Sequence, residues 1–295
     1  MGREWWSAPG WKKMSRIFDA LQRSGVEQTG VEYPDMVSVA TRVFEAPIEE
    51  DNPESPAVEF PSVEVSVTEQ GRLVFLTEPE SLAAEKFRFL GVRMRQIQHS
   101  RGIKKVLVTS TIPEEGKSLV AVNLAGVLAR RKKQKVLLIE GDLRRPVMAQ
   151  QFGLGKLNGL AEWLQSDSQT VTNIYRLEGP DFWLMPAGHP PDNPLELMQS
   201  GRLSTLMGQL SALFDWIIVD SPPLLPLADT TVWAKHTEGG LLVVREGTTE
   251  KAQLQRSLEI LKKADLLGVV LNASSDGNHH NYYQRYAATR GRVLE

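Results

Sequence analysis

Residues 104–123 read KKVLVTSTIPEEGKSLVAVN: an apolar run, a polar turn closed by Gly-Lys-Ser, and a second apolar run. The first run reads as a short strand, and SLVAVNLAGVLARR (118–131) reads as a helix. A strand, a loop and a helix N-terminus in that order gather backbone N–H groups and one lysine at a single point. A nucleoside triphosphate needs that arrangement around its phosphates. Lys117 is expected to reach the β- and γ-phosphates, and Ser118 to give its hydroxyl to magnesium. Thr111, Pro113, Glu114, Glu115, Gly116 and Leu119 complete the candidate ATP-binding loop. The general pattern G-x-x-x-x-G-K-[ST] asks for glycine where this chain has Thr111, so the assignment rests on the strand before, the helix after and the acids described below.

Working outward, the same alternation continues. SLAAEKFRFLGVRMRQIQ (81–98) reads as an amphipathic helix with Leu82, Phe89 and Val92 among its apolar positions. KVLLIE (135–140), FWLMP (182–186), DWIIVD (215–220), GGLLVVR (239–245) and LGVVLN (267–272) read as strands. Helices are expected around Leu160 to Leu164, near Leu195 and Leu206, around Leu227, and from Lys251 to Lys263. Continuous apolar strands alternating with helices predict an α/β protein: a mostly parallel central sheet with helices on both faces, of the P-loop NTPase class. No internal repeat is present.

Two strands end in acids, IEGDLRRP with Glu140 and Asp142, and WIIVDSPP with Asp220. In a parallel sheet the C-terminal strand ends converge on one crevice, where ligands bind. Asp220, after four apolar residues, stands where an acid holds magnesium, usually through water. Arg144 either steadies the acidic nucleotide or the incoming tail, or forms a solvated surface pair with Arg145.

The chain has 295 residues, 41% of them hydrophobic, enough for one good-sized core. A net charge of −2 and a pI near 6.3 argue against non-specific nucleic-acid binding. The absence of cysteine excludes disulfides and cysteine-ligated metals or iron–sulfur clusters. His279 and His280 lack a third ligand and make no metal site. No apolar run approaches a membrane span, so the chain reads as cytoplasmic, with any membrane link through a partner. Four segments are expected: residues 1–25, holding a short amphipathic helix with Ile17, Phe18 and Leu21 on one face; an acidic, Pro-containing, disordered linker over 26–79; a P-loop domain over 80–275; and a flexible tail over 276–295. Three of the five tyrosines, Tyr282, Tyr283 and Tyr286, lie in that tail.

TSTIPEEGKSLVAVNLA, VLLIEGDLRRP, MPAGHPPDNPLELMQS and FDWIIVDSPPLLPLADT together resemble the bacterial tyrosine kinases of capsule and exopolysaccharide loci, the CpsD/CapB family. The resemblance runs from about Pro79 to Asn272. It implies a protein-tyrosine kinase that uses ATP and Mg2+, with Lys117 and Ser118 on phosphate and metal, Asp142 and Asp220 organising the metal, and Glu140 taking the tyrosine proton. Glu140 stands where the family usually has Asp, and Glu114 where a glycine is frequent. The resemblance also implies autophosphorylation in trans of Tyr282, Tyr283 and Tyr286, and a homo-oligomer, in the family a ring. Glu85 and Arg88 match the first two positions of the joining motif E-x-x-R-x-x-R, while Gly91 departs at the third. It further implies activation by a membrane chain-length determinant, or polysaccharide copolymerase, at the inner face of the membrane, and a cognate tyrosine phosphatase. Met14 is a candidate initiator.

Two alternatives stand beside this reading. A partition or division-site ATPase switch would carry a second lysine early in the loop, where this chain has Ile112. An ATP-binding scaffold of a polysaccharide assembly complex would keep the loop and transfer no phosphate.

Overall fold

A computed structural model describes residues 59–66, 73–131, 134–225, 227–262 and 264–274. The N-terminal amphipathic segment, most of the acidic stretch and the tyrosine-bearing tail lie outside the described residues. In chain order the elements are β1 (Ser62–Glu64), α1 (Val74–Thr77), α2 (Leu82–Arg101), β2 (Lys105–Ser110), α3 (Lys117–Ala129), β3 (Val136–Glu140), α4 (Met148–Gln151) and α5 (Leu160–Gln165). There follow β4 (Tyr175–Glu178), β5 (Phe182–Met185), α6 (Pro194–Met198), α7 (Arg202–Leu213), β6 (Trp216–Asp220), α8 (Asp229–His236), β7 (Gly239–Arg245), α9 (Lys251–Leu261) and β8 (Leu266–Asn272).

The strands form one sheet in the order β1-β4-β5-β3-β6-β2-β7-β8. All neighbouring pairs are parallel except β4 with β5. The pleat sorts each strand's side chains between two apolar layers. Val106, Val108, Val136, Leu138 and Ile218 enter the layer under α2 and α3. Leu107, Leu137, Ile139, Ile217 and Val219 enter the layer under α5, α7 and α8. Burial on both faces accounts for strands that are apolar throughout rather than alternating.

Three expectations are corrected. First, the ordered domain reaches back before residue 80. Ser62–Glu64 pairs with Arg176–Glu178, and Leu73 and Phe75 are 1% and 2% exposed. Apolar residues inside the acidic stretch supply that anchorage: Phe60 stacks on Phe214 at 6.0 Å, and Gly126 of α3 leaves room for the Phe75 ring. Second, α2 is turned from the expected orientation. It buries Ala84, Gly91 and Met94, while Phe89 is 44% exposed. Gly91 faces Val127 of α3, where an added Cβ would stand 3.0 Å from the valine methyl, so the small residue selects the packing face. Third, Tyr175–Glu178 forms a strand that the sequence did not suggest, held antiparallel to β5. The helix expected around Leu227 begins at Asp229. Among the described residues no helix is long and apolar enough to cross a membrane.

Candidate active site

Because β2, β6 and β3 are adjacent and parallel, their C-terminal ends deliver the loop and the acids to one edge. The register pairs Val108 with Asp220 and Glu140 with Asp220.

The loop after β2 is held by its own side chains and by the far end of the sheet. The Glu115 carboxylate is fully buried and accepts from the Ile112 N–H at 2.8 Å, the Arg245 N–H at 3.2 Å and the Thr249 hydroxyl. The Asn272 side-chain amide donates to the Glu115 carbonyl at 2.8 Å. Gly116 has φ +92°, and a methyl group there would overlap the Asn272 amide, so glycine is required twice over. The loop's other positive φ, +65°, belongs to Glu114. Thr111 has no positive φ, which explains why the loop tolerates a side chain where the general pattern has glycine.

Lys117 opens α3 with its Nζ 3.6 Å from Asp142 Oδ2 and 3.4 Å from the Ser118 hydroxyl. Ser118 in turn hydrogen-bonds Asp220. Asp220 is 1% exposed, and its Oδ1 has no partner. Burial pushes its pKa up to about 7 against the opposing pull of Lys117 and the Ser118 hydrogen bond. An unpartnered buried carboxylate oxygen beside a serine hydroxyl and a second carboxylate is a hard-oxygen donor set, which fits a magnesium ion. Ser118, Asp142 and Asp220 are the residues that could hold it.

Glu140 does not join this group. Its Oε1 accepts from the N–H groups of Val147 at 2.5 Å and Met148 at 2.7 Å, and its Oε2 from that of Ala187 at 3.0 Å. At 1% exposure the carboxylate is turned to these backbone donors rather than to Lys117, in the place where the resemblance implies a proton acceptor. Burial raises its pKa, the three N–H donors work against that rise, and Asp142 adds to it. Arg144, with 39% of its side chain exposed, is also committed, in a bidentate pair with buried Asp229 at 2.7 and 3.2 Å rather than beside Arg145 alone.

Three supporting residues were not anticipated. The Trp233 indole donates to the Gly141 carbonyl at 3.1 Å, and Gly141 donates to the Asp220 carbonyl at 2.7 Å, so α8 fixes the turn that carries Asp142. An added Cβ at Gly141 would stand 2.6 Å from the Trp233 ring nitrogen. Asn272 and Asp229 are the other two. Asn272 closes an apolar strand, as Asp220 does, and that placement is the one signal that could have found it. Tyr282, Tyr283 and Tyr286 lie outside the described residues. Glu85 and Arg88 are not at this site but on α2, paired with each other, and Arg88 also donates to the Pro79 carbonyl.

Residues 106–294 match the family model described as the CobQ/CobB/MinD/ParA nucleotide binding domain. The chain is 34% identical to the tyrosine-protein kinase YwqD of Bacillus subtilis over 72% of its own length and 90% of that protein. It is 29% identical to the putative tyrosine-protein kinase CapB of Staphylococcus aureus over 71% of its own length and 92% of that protein. Among solved structures, the chimerical protein CapA2B2 superposes with a TM-score of 0.65 at 29% identity, covering 73% of this chain and 95% of that one.

Proposed function

The chain belongs to the bacterial tyrosine kinases, P-loop enzymes of the capsule and exopolysaccharide type, and from that membership we propose that it transfers phosphate from MgATP to Tyr282, Tyr283 and Tyr286 on the tail of a neighbouring copy. The observation that carries the reading is the meeting of Lys117, Ser118, Asp142 and Asp220 at one sheet edge, in a family of kinases.

Phosphoryl transfer asks mainly for positioning and for neutralisation of charge on the γ-phosphate. The N–H groups at the start of α3 and the Lys117 ammonium bind the phosphates. Thr111, Pro113, Glu114, Glu115, Gly116 and Leu119 shape the loop around them, with Glu115 and Asn272 holding it open. Magnesium, when bound to Ser118, Asp142 and Asp220, supplies further positive charge to the phosphate oxygens. As the tyrosine oxygen bonds to phosphorus and the bond to the leaving ADP breaks, the hydroxyl proton passes to an oxygen of the transferred phosphoryl group.

Each phosphate adds nearly two negative charges to the tail. In a homo-oligomer, a ring joined through α2 with Glu85 and Arg88 at the contact, clustered phosphates repel one another and loosen the assembly. Cycling between the two states regulates exopolysaccharide or capsule synthesis and export. The activator is a membrane chain-length determinant that holds the kinase at the inner face of the membrane, and a cognate phosphatase resets the tail.

The test is incubation of purified protein with labelled ATP, beside Lys117→Ala and a form truncated after Asn278. Label on tyrosine that disappears in both variants supports the reading. Hydrolysis of ATP with no labelled protein, even with the activator's cytoplasmic segment added, sinks it in favour of an ATP-binding scaffold.

A further inference from the structure

Glu140 closes β3 in register with Asp220, where a catalytic carboxylate is expected, yet its oxygens are spent on backbone. The three donors come from two segments far apart in sequence. Val147 and Met148 begin α4, and Ala187 follows β5. One side chain thus joins the start of α4 to the loop Pro186–His189.

That loop is fixed from its other side as well. The carbonyls of Pro186 and Ala187 accept from the N–H groups of Leu160 and Ala161 at 2.8 and 2.9 Å. Glu162 of α5 accepts from the Gly159 N–H at 2.6 Å, the His189 N–H at 2.8 Å and the His189 ring nitrogen at 2.7 Å. Gly188 has φ +83° and lies against the Glu162 carboxylate, too close for any side chain. Two glutamates, Glu140 from the sheet and Glu162 from a helix, therefore hold one short loop beside the turn that carries Asp142.

We propose that Glu140 is a positioning residue: it clamps the Pro186–His189 loop and the start of α4 into one wall of the crevice, and that wall receives the acceptor tyrosine. A base must lie within hydrogen-bond reach of the proton it takes, and Glu140 is enclosed by its three donors. Two backbone–backbone hydrogen bonds and two carboxylate clamps on four residues exceed what a connecting loop on the surface requires. Such over-determination suits a wall whose shape must not vary when a substrate segment arrives. The inference rests on the tyrosine-acceptor reading above.

The experiment compares the full chain with Glu140→Gln and Glu162→Gln. Hydrogen exchange is measured over residues 145–150 and 184–190, and steady-state phosphorylation of a synthetic peptide of residues 277–290 is followed in parallel. In Glu140→Gln the side-chain carbonyl goes on accepting from Val147 and Met148, while the amide N–H group meets the Ala187 N–H. Protection is expected to fall over 184–190 and to persist over 145–150. The KM for the peptide should rise several-fold, with the KM for ATP unchanged and kcat within about tenfold of the parent. Glu162→Gln, remote from the reacting atoms, should show the same rise in peptide KM and the same loss of protection over 184–190.

A fall in kcat beyond about a hundredfold in Glu140→Gln, with both segments as protected as in the parent, is the signature of a base and overturns the proposal. An unchanged peptide KM in Glu162→Gln overturns it too. Exchange needs no phosphorylation, so failure of the kinase reading, seen as no labelled peptide with the parent chain, is distinguished from failure of the clamp.

Discussion

Lys117 and Asp142 follow two different strands, β2 and β3, whose C-terminal ends lie at one edge of the sheet, and there the ammonium stands 3.6 Å from the carboxylate, just beyond hydrogen-bonding distance. The same lysine acts on Asp220 from a distance, lowering a pKa that burial raises. One cation thus serves two partly dehydrated carboxylates, and arriving phosphates must draw it away.

Asp142→Asn removes the nearer competitor for Lys117 and one negative charge from the phosphate site. Binding of ADP without magnesium should tighten, by roughly threefold to tenfold, as expected for about 1 kcal/mol from a partly exposed ion pair. Tail phosphorylation should be lost in the same variant. Calorimetric titration with ADP in the presence of a chelator checks the first outcome, and labelled ATP checks the second. Weaker chelator-side binding would mean that Asp142 does not restrain the lysine.

Asp220 makes the nucleotide-free protein sensitive to pH in a defined direction. Its pKa is pushed from the ordinary 3.8 up to about 7, chiefly by burial. Between those values the folded chain keeps a proton that the unfolded chain has released. Stability therefore falls as pH rises across that window and is level above it. Asp220→Asn removes the cost, so the variant should be more stable than the parent at pH 8 by a few kcal/mol and close to it near pH 4. Denaturant titrations at the two pH values read the difference, with kinase activity lost throughout. An equal gap at both values refutes the assignment.

Glu114 holds a left-handed backbone at φ +65° without being glycine. A non-glycine residue there costs about 1–2 kcal/mol, and glycine's extra freedom in the unfolded chain offsets about half of it. Glu114→Gly should therefore raise stability by about 0.5–1 kcal/mol and leave the loop's other contacts in place. A melting temperature below that of the parent would show that the Glu114 side chain contributes something the backbone argument omits.

The central strands, α3 and the strand-end acids were readable because residues buried on both faces have no polar option, and Gly-Lys-Ser marks a helix start. The face of α2 was not. Apolar periodicity points to Leu82, Phe89 and Val92, but α2 packs through Gly91 against Val127, a choice set by backbone approach rather than by hydrophobicity. Glu140 was legible as a strand-end acid and illegible as a clamp. Its partners are backbone N–H groups at Val147, Met148 and Ala187, and backbone donors leave no mark on the residue types that carry them. Trp233 was hidden for a similar reason, since its indole meets the Gly141 carbonyl across 92 residues.

The exposed face of α2 carries the last prediction. Phe89 is 44% exposed, with the Arg93 guanidinium 6.0 Å from its ring, one turn from the Glu85–Arg88 pair. In the assembly proposed above this face meets a neighbouring copy, and an aromatic ring at such a contact contributes disproportionately to binding. Phe89→Asp places a charge there without touching the core, so the melting temperature should stay within a few degrees of the parent's, as for an ordinary surface substitution. Sedimentation with ATP present should shift toward the monomer. Tail labelling should then depend more steeply on protein concentration, because the tail must find its neighbour by diffusion, while phosphorylation of an added tail peptide persists. Unchanged sedimentation together with unchanged labelling would remove this face from the assembly.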